Sequence, residues 1–295
     1  MLKVTIGSDP EWGILTEKGD LVRPDEVFTI NGSSDNFGID GCGRVAELRP
    51  MYSDTPRGHV KNIRELLQSG LDNNPNLAMY RWKAGSMADD EPIGGHVHLG
   101  HGMFCEDVGR ATDRKPHLQS ALTRIVSPLL LMVEDKDEAI ARRVGTSYGT
   151  LKGENCVRQQ DYGIEYRTLP SWLTSPEDAL AVLSLCHLVA VNMDNKPFLD
   201  EVASLPEIED EAFSDCNKAV ASYYLKSIAR ALKTTQGFAT YRSDVQPLFD
   251  MIIEGREFNT SVDMKMSWGL KVPQTVKKVV PVLADQETDE DEDEE

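Results

Sequence analysis

The sequence predicts an α+β fold, a largely antiparallel sheet backed by helices, and three observations carry that expectation. Short strand-like stretches holding polar pairs two residues apart fill the first half. A turn signal at Lys18-Gly19-Asp20 joins two of them as a hairpin. Helical periodicity then dominates beyond Ser175, so helices are segregated to one part of the chain and pack on the far face of the sheet.

Taken in order, Lys3 to Ser8 and Glu11 to Leu15 read as one broken strand, returning through Leu21 to Arg23. Pro10 cannot donate to a ladder, which places Asp9 to Glu11 at an edge or bulge. Gly32 to Gly43 has no period and reads as a long loop, a length at which loops are often functional. A helix opens at Thr55 with Pro56 at its first position, turns Val60, Ile63, Leu66 and Leu67 inward and stops at Gly70. Met79 to Ala84 and Gly94 to Gly100 return to strand, Leu118 to Val133 form one long amphipathic helix, and Gly163 to Leu169 form a further strand. Ser175 caps the next helix, with Asp178 three residues on completing a capping box. Helices follow around Asp210 to Leu232 and Asp244 to Ile253, and there is no internal repeat.

At 295 residues and 40% hydrophobic, the chain can bury a substantial core. The expected organisation is one domain over residues 1–284, with a motif-bearing core in about the first 200 and a mostly helical part at 201–270. Half of the formal charge of −18 comes from Asp285, Glu287 and the run Asp289 to Glu295. Like charges at a terminus repel, so 285–295 reads as a disordered acidic tail. The acidic balance argues against direct nucleic-acid binding, which needs Lys/Arg footprints on phosphate. Five scattered cysteines without a CxxC spacing suggest a reducing compartment. The longest apolar run, Ala179 to Met193, is interrupted by polar residues and is too short to span a bilayer. With no signal layout at the amino terminus, the expectation is a cytoplasmic protein with no membrane partner.

The chemistry lies in the pairs Asp9/Glu11, Glu47/Arg49, His96/His98 and Glu165/Arg167. In a strand, residues i and i+2 leave the same face about 7 Å apart, so one sheet face could collect all four pairs. Three carboxylates (Glu11, Glu47, Glu165), one or two imidazoles and a guanidinium are the parts that hold divalent metals and a polyphosphate. Each glutamate lies among apolar residues and must meet a cation there. Arg49 and Arg167 could be those cations, as simple strand-borne salt bridges; three repetitions beside two histidines favour bound metal. In GGHVHLG (94–100), Val97 and Leu99 turn to the core and both histidines to the open side, flanked by glycines that let a ligand approach the backbone. A pair of half-buried hydrogen-bonded histidines is the plainer alternative. His101 sits at an odd offset, so magnesium with carboxylates fits better than zinc. Arg142, Arg143 and Arg158 supply guanidinium groups suited to phosphate, although an arginine at a helix end also stabilises the helix dipole. There is no Walker loop and no GxGxxG.

The segments GSDPEW (7–12), DGCGRVAELRP (40–50), GGHVHLG (94–100), ARRVGTSYG (141–149) and YGIEYRTLPSWL (162–173) together resemble the phage phiEco32-like COOH-NH2 ligase family, grouped with glutamine synthetase and glutamate-cysteine ligase. The resemblance covers roughly residues 1–200. It implies a sheet curved into a glutamine-synthetase-like half-barrel that binds ATP and two or three Mg²⁺ ions, with Mn²⁺ as a substitute. It places metal ligands at Glu11, Glu47, His98 and Glu165, with His96 as the alternative nitrogen and a cofactor contact. It gives the γ-phosphate to Arg143, Arg158 and Arg167, and catalytic roles to Asp9, Arg143 and Arg167, with Asp9 orienting water or receiving the amine proton. It also implies the cytoplasm of a phage-infected bacterium as the setting.

The function so indicated is an ATP-dependent amidoligase that joins a small-molecule or peptide carboxylate to an amine through an acyl-phosphate. Two alternatives stand beside it: a metal-dependent phosphohydrolase using the same acids, and a noncatalytic phage protein that binds a host partner. Residues 30–43, 84–94 and 101–115 are the expected substrate-selecting loops, and relatives of glutamine synthetase occur both as monomers and as rings.

Overall fold

The structure, a computed structural model, describes residues 1–28, 36–105, 114–144 and 148–273. Among them the strands are β1 (Thr5–Leu15), β2 (Leu21–Val22), β3 (Phe37–Ile39), β4 (Ala46–Leu48), β5 (Arg81–Lys83), β6 (Met87–Ala88), β7 (Glu91–Pro92), β8 (Gly95–Gly100), β9 (Val157–Gln160) and β10 (Gly163–Tyr166). Every pairing is antiparallel. The main sheet is open, ordered β3-β4-β1-β8-β10-β9, with β2 and β5 also on β1; β6 and β7 form a separate ribbon. This is the α+β, antiparallel class that the sequence predicts.

β1 is one strand through Pro10, not the expected broken one, and it lies at the centre of the sheet. Glu11 N donates to Gly94 O on the β8 side, whereas Ile6 N donates to Ser53 O on the other side. Odd-numbered amides of β1 therefore serve β8 and even-numbered ones face away from it. Pro10 is even-numbered, so its missing N–H costs the β8 ladder nothing. The β4 ladder is what ends there: its register stops at Glu11↔Glu47.

The helix Pro56–Asn73 opens as expected, with Thr55 Oγ1 accepting from Gly58 N. It does not stop at Gly70. That glycine is a packing notch, since a Cβ there would lie 2.1 Å from Phe37 Cδ2. The expected single helix from 118 to 133 is divided into Lys115–Ala121, a π-helical stretch Leu122–Val126 and Ser127–Leu131. Pro128 cannot donate to the residue four back, and Ser127 N instead reaches Leu122 O, five back. The helix expected around 210–232 is likewise two, Asp210–Ser214 and Lys218–Lys233, parted at Cys216 (φ 48°) and recapped by Asn217, which accepts from Val220 N. The helix Lys136–Arg143 ends at the arginine pair where the sequence places a helix end, Lys196–Ser204 lies within the stretch read as mostly helical, and β3 falls inside the segment read as loop.

The even-numbered face of β1 supplies the core. Ile6, Trp12 and Ile14 are fully buried together with Val97, Leu99, Ile164 and Tyr166 of β8 and β10. The Trp12 ring lies 5.2 Å from Phe37 and 5.8 Å from Trp82, centroid to centroid. The helix Pro176–Ala190 covers this face and is buried nearly throughout. Among the described residues no helix is long and apolar enough to cross a membrane.

One polar link ties the core face to the helix at 56–73. His59 Nδ1 is 3.1 Å from Met51 O, an acceptor only, so Nδ1 carries the proton and Nε2 accepts from the Ser8 hydroxyl at 2.7 Å. Burial pushes the His59 pKa down to about 4, against a smaller opposing pull from the Met51 carbonyl. The unfolded chain takes up this proton near pH 6.5, so the stability His59 contributes is whole above that value and is lost as the pH falls toward about 4. Between pH 7 and pH 5 the urea-unfolding free energy should fall by about 2 kcal/mol more in the native sequence than in His59→Gln. Equal pH slopes for the two proteins would contradict this account.

Candidate active site

Strand register gathers the polar pairs on the odd-numbered face of β1, opposite the core. Gly7 and Asp9 stand across from His98 and His96, Glu165 across from His98 and Arg158, and Glu11 across from Glu47. Directly opposed residues in a sheet share a face, as do residues two apart along a strand. Asp9, Glu11, Glu47, His96, His98, Arg158 and Glu165 therefore occupy one surface.

The tightest convergence is Asp9, His96 and Glu165, whose ligand atoms all lie within 4.8 Å of one another. His96 Nδ1 is 3.2 Å from Asp9 Oδ1 and 3.5 Å from Glu165 Oε1, and His98 Nε2 is 3.1 Å from the same Asp9 oxygen. Asp9 Oδ1 and Glu165 Oε1 are buried and accept no well-aligned hydrogen bond. Two carboxylate oxygens and a ring nitrogen thus face a common point with spare lone pairs, a donor set that fits a hard divalent cation. Arg158 Nε and Gln160 Nε2 donate to the other oxygen of Glu165, each at 2.7 Å, while Arg167 Nε lies 3.1 Å from Glu165 Oε1. Glu11 accepts from Gly94 N at 2.6 Å, and Glu47 pairs with Arg49.

Burial sets the electrostatics. Desolvation raises the Glu11 carboxyl to about 7, against the pull of His96, with Asp40 pushing further up. Desolvation and the neighbouring Asp9 raise Glu47 to about 8 despite Arg49. Asp9 behaves oppositely: burial alone would raise it, but the contacts to His96 and His98 hold it well below the usual carboxylate range. His96 is raised, since Asp9, Glu11 and Glu165 outweigh the burial that would lower it. His96 Nδ1 thus lies between two carboxylates that a metal cation could also answer.

Not every residue singled out in the sequence lies here. Arg143 pairs with Glu134, both side chains 1% exposed, and its guanidinium lies 4.2 Å from the Phe213 ring centre. It is a buried structural pair and does not join the acids on the sheet face. Arg142 donates to three main-chain carbonyls, Ile93, Thr168 and Leu169. Gln160 and the Glu134–Ser86 hydrogen bond went unnoticed; the i+2 spacing of Arg158 and Gln160 ahead of the Asp161-Tyr162 turn was the available signal for the former. Residues 145–147, and parts of the segments 30–43 and 101–115, lie outside the described residues, as does the acidic tail.

A cavity of about 480 Å³ opens beside His98 on the same face, bounded by Gly7, Arg49, Tyr52 and Tyr162 among others. One of about 490 Å³ lies elsewhere, between Gln119, Arg124, Lys152 and Glu207, and contains none of the converging acids. Proximity to the chemistry, not volume, makes the former the substrate-cavity candidate.

A family model described as phage phiEco32-like COOH.NH2 ligase-type 2 matches residues 6–270. No protein of curated function matches at a significant level. Solved structures that superpose include a GmaS/ADP complex, at 11% identity and a TM-score of 0.44 over 84% of this chain and 70% of that one. Another is a bifunctional glutathione synthetase from Pasteurella multocida, at 10% identity and a TM-score of 0.48 over 90% of this chain. The present chain spans about half the length of that synthetase, 49%.

Proposed function

The chain belongs to the phage phiEco32-like COOH-NH2 ligase family, and from that premise we propose that it joins a carboxylate to an amine at the expense of ATP, through an acyl-phosphate, with Mg²⁺ or Mn²⁺ as cofactor. The observation that carries this reading is the convergence of Asp9, His96 and Glu165 around one point beside an open cavity. These three would hold one divalent cation, and Glu11 with Glu47 a second. When bound, such ions neutralise the phosphate oxygens and draw charge off the transferring phosphoryl group.

The chain's own residues supply the rest. Arg158, with its side chain 46% exposed and anchored on Glu165, can turn donors toward a phosphoryl group on the open side, and Arg167 lies on the other oxygen of the same carboxylate. Arg143, buried against Glu134, is assigned no part in this. Asp9 is held ionised by two histidines, which suits it to binding a cation and makes it a poor acceptor for an amine proton. His98, touching Asp9, orients that carboxylate.

The pH dependence of metal binding follows from Glu11 and Glu47, whose carboxyls titrate at about 7 and about 8. A cation held by both must displace both protons, so Mg²⁺ affinity should rise by up to about a hundredfold per pH unit near pH 6, easing to about tenfold per unit between pH 7 and pH 8, with proton release, and level off above. Calorimetry in buffers of different ionisation enthalpy reads both quantities. A pH-independent affinity without proton release would contradict the assignment of these two residues.

ADP release across carboxylate and amine panels with Mg²⁺ tests the reaction itself. Amine-dependent ADP formation is expected. Phosphate release without any amine would favour a phosphohydrolase, and no nucleotide binding under any condition would remove the ligase reading.

A further inference from the structure

The cavity beside the acids has a composition that the ligase chemistry alone does not require. Arg49 and His98 line part of it, but Met51, Tyr52 and Tyr162 line it too, residues that are 69%, 63% and 43% exposed in a protein whose other aromatic residues are mostly buried. The floor is glycine. Gly7 stands directly across from His98 and occupies a position on the functional face where a side chain would stand. A Cβ there would touch His98 Cβ at 3.4 Å and Tyr52 Cβ at 3.5 Å, so the missing side chain is what leaves room between those two walls. Gly100, two residues beyond His98 on β8, also lines the pocket, and the Thr5 side chain fills the space beside it, since a Cβ there would lie 2.3 Å from Thr5 Oγ1. Tyr162 is held at the mouth by the tight turn into β10, its ring 5.5 Å from His98 and tilted by 33°. His98 thus contacts the acid cluster with one edge, 3.1 Å from Asp9, and the aromatic wall with its ring.

We infer that this pocket takes a planar aromatic or heteroaromatic ring of a ligand whose ionic end lies on the Asp9–His96–Glu165 cluster. Two tyrosines and a methionine around a slot with a glycine floor present flat, polarisable surface on which a ring stacks. A volume of about 480 Å³ is within the range of sites for small ligands of nucleoside size. The ring could belong to the base of the nucleotide or to an aromatic acid or amine that is ligated; the recognition chemistry is shared. The inference rests on the ligase reading for the nature of the ionic end, and its test separates the two.

Calorimetric titrations of the full chain with Mg²⁺ would use inorganic tripolyphosphate as the ionic end without a ring, ADP as both together, and phenylpropionate and phenylethylamine as the aromatic acid and amine. Tyr162→Ala and Tyr52→Ala should each weaken the ring-bearing ligand about tenfold or more, the loss typical of removing one stacking partner. Tyr162→Phe should stay within about twofold of the native protein, and tripolyphosphate should bind all variants alike. Tyr52 is exposed enough that its truncation leaves the fold intact. Weakened ADP binding assigns the pocket to the base, and weakened binding of a phenyl compound with ADP unchanged assigns it to a substrate. Unaltered binding of ADP and of both phenyl compounds in both alanine variants would overturn the inference. Failure of tripolyphosphate to bind the native protein, with ring ligands still sensitive to the tyrosines, would count against the ligase reading alone.

Discussion

Replacing Glu165 by glutamine is expected to reduce turnover by about a thousandfold or more while leaving the protein folded. Glu165 is fully buried, and one of its oxygens is directed at the point shared with Asp9 and His96 while the other accepts from Arg158 and Gln160. Glutamine keeps the shape and one oxygen but loses the charge that a cation and two arginines answer to. The released partners are tolerable: Arg158 and Arg167 retain 46% and 19% exposure and can be solvated, so the stability cost should be about 1–2 kcal/mol. Steady-state kinetics at saturating Mg²⁺ and a thermal melt check both halves. A fully active Glu165→Gln protein would contradict the proposed site, and an unfolded one would recast Glu165 as chiefly a structural anchor.

Arg142→Ala should be strongly destabilising, costing about 3–5 kcal/mol. Its guanidinium is entirely buried and donates to Ile93 O at 3.0 Å, Thr168 O at 2.9 Å and Leu169 O at 2.8 Å. Burial, against the pull of Glu134, lowers its pKa to about 10, still charged at neutral pH. Ile93 precedes β8 and Thr168 follows β10, so this one side chain clamps the segments that carry His96 and Glu165. Truncation removes one donor from each of three carbonyls, of which Leu169 O keeps the Gly95 amide. Lysine, a single point charge on a flexible stem, cannot reach all three and should recover less than half of the loss. Urea midpoints for the alanine and lysine variants read the result; a full rescue by lysine would show that charge alone matters there.

The alternation of side chains made the functional face legible. Asp9/Glu11, His96/His98 and Glu165/Arg167 each announce a shared surface by spacing, and the register of β1, β8 and β10 then brings Asp9 opposite His96 and Glu165 opposite His98. Spacing cannot reveal depth or direction within that face. Hence Asp9 joins His96 and Glu165 at the tightest point, where the family resemblance placed His98, Glu11 and Glu47 with Glu165. Arg143 illustrates the same limit. A helix end next to a glycine-containing segment suits phosphate in sequence, yet the helix Lys136–Arg143 directs this guanidinium to Glu134 and the Phe213 ring. Pro10 signals a break or an edge in sequence, but which neighbour an amide serves depends on strand partners far away along the chain. The helix expected from 118 to 133 erred in the same way: its apolar period continues through Pro128, but the hydrogen-bond register does not.

The central claim is that the Asp9, His96 and Glu165 side chains hold a divalent cation at which ATP-dependent ligation takes place. Anomalous diffraction at the manganese edge, on crystals grown with Mn²⁺ and ADP, tests it most directly. The account predicts a manganese peak within bonding distance of Asp9 Oδ1, a ring nitrogen of His96 and Glu165 Oε1, with nucleotide phosphate on its open side. Manganese bound elsewhere, with His96 still bridging Asp9 and Glu165 in the presence of nucleotide, would contradict it.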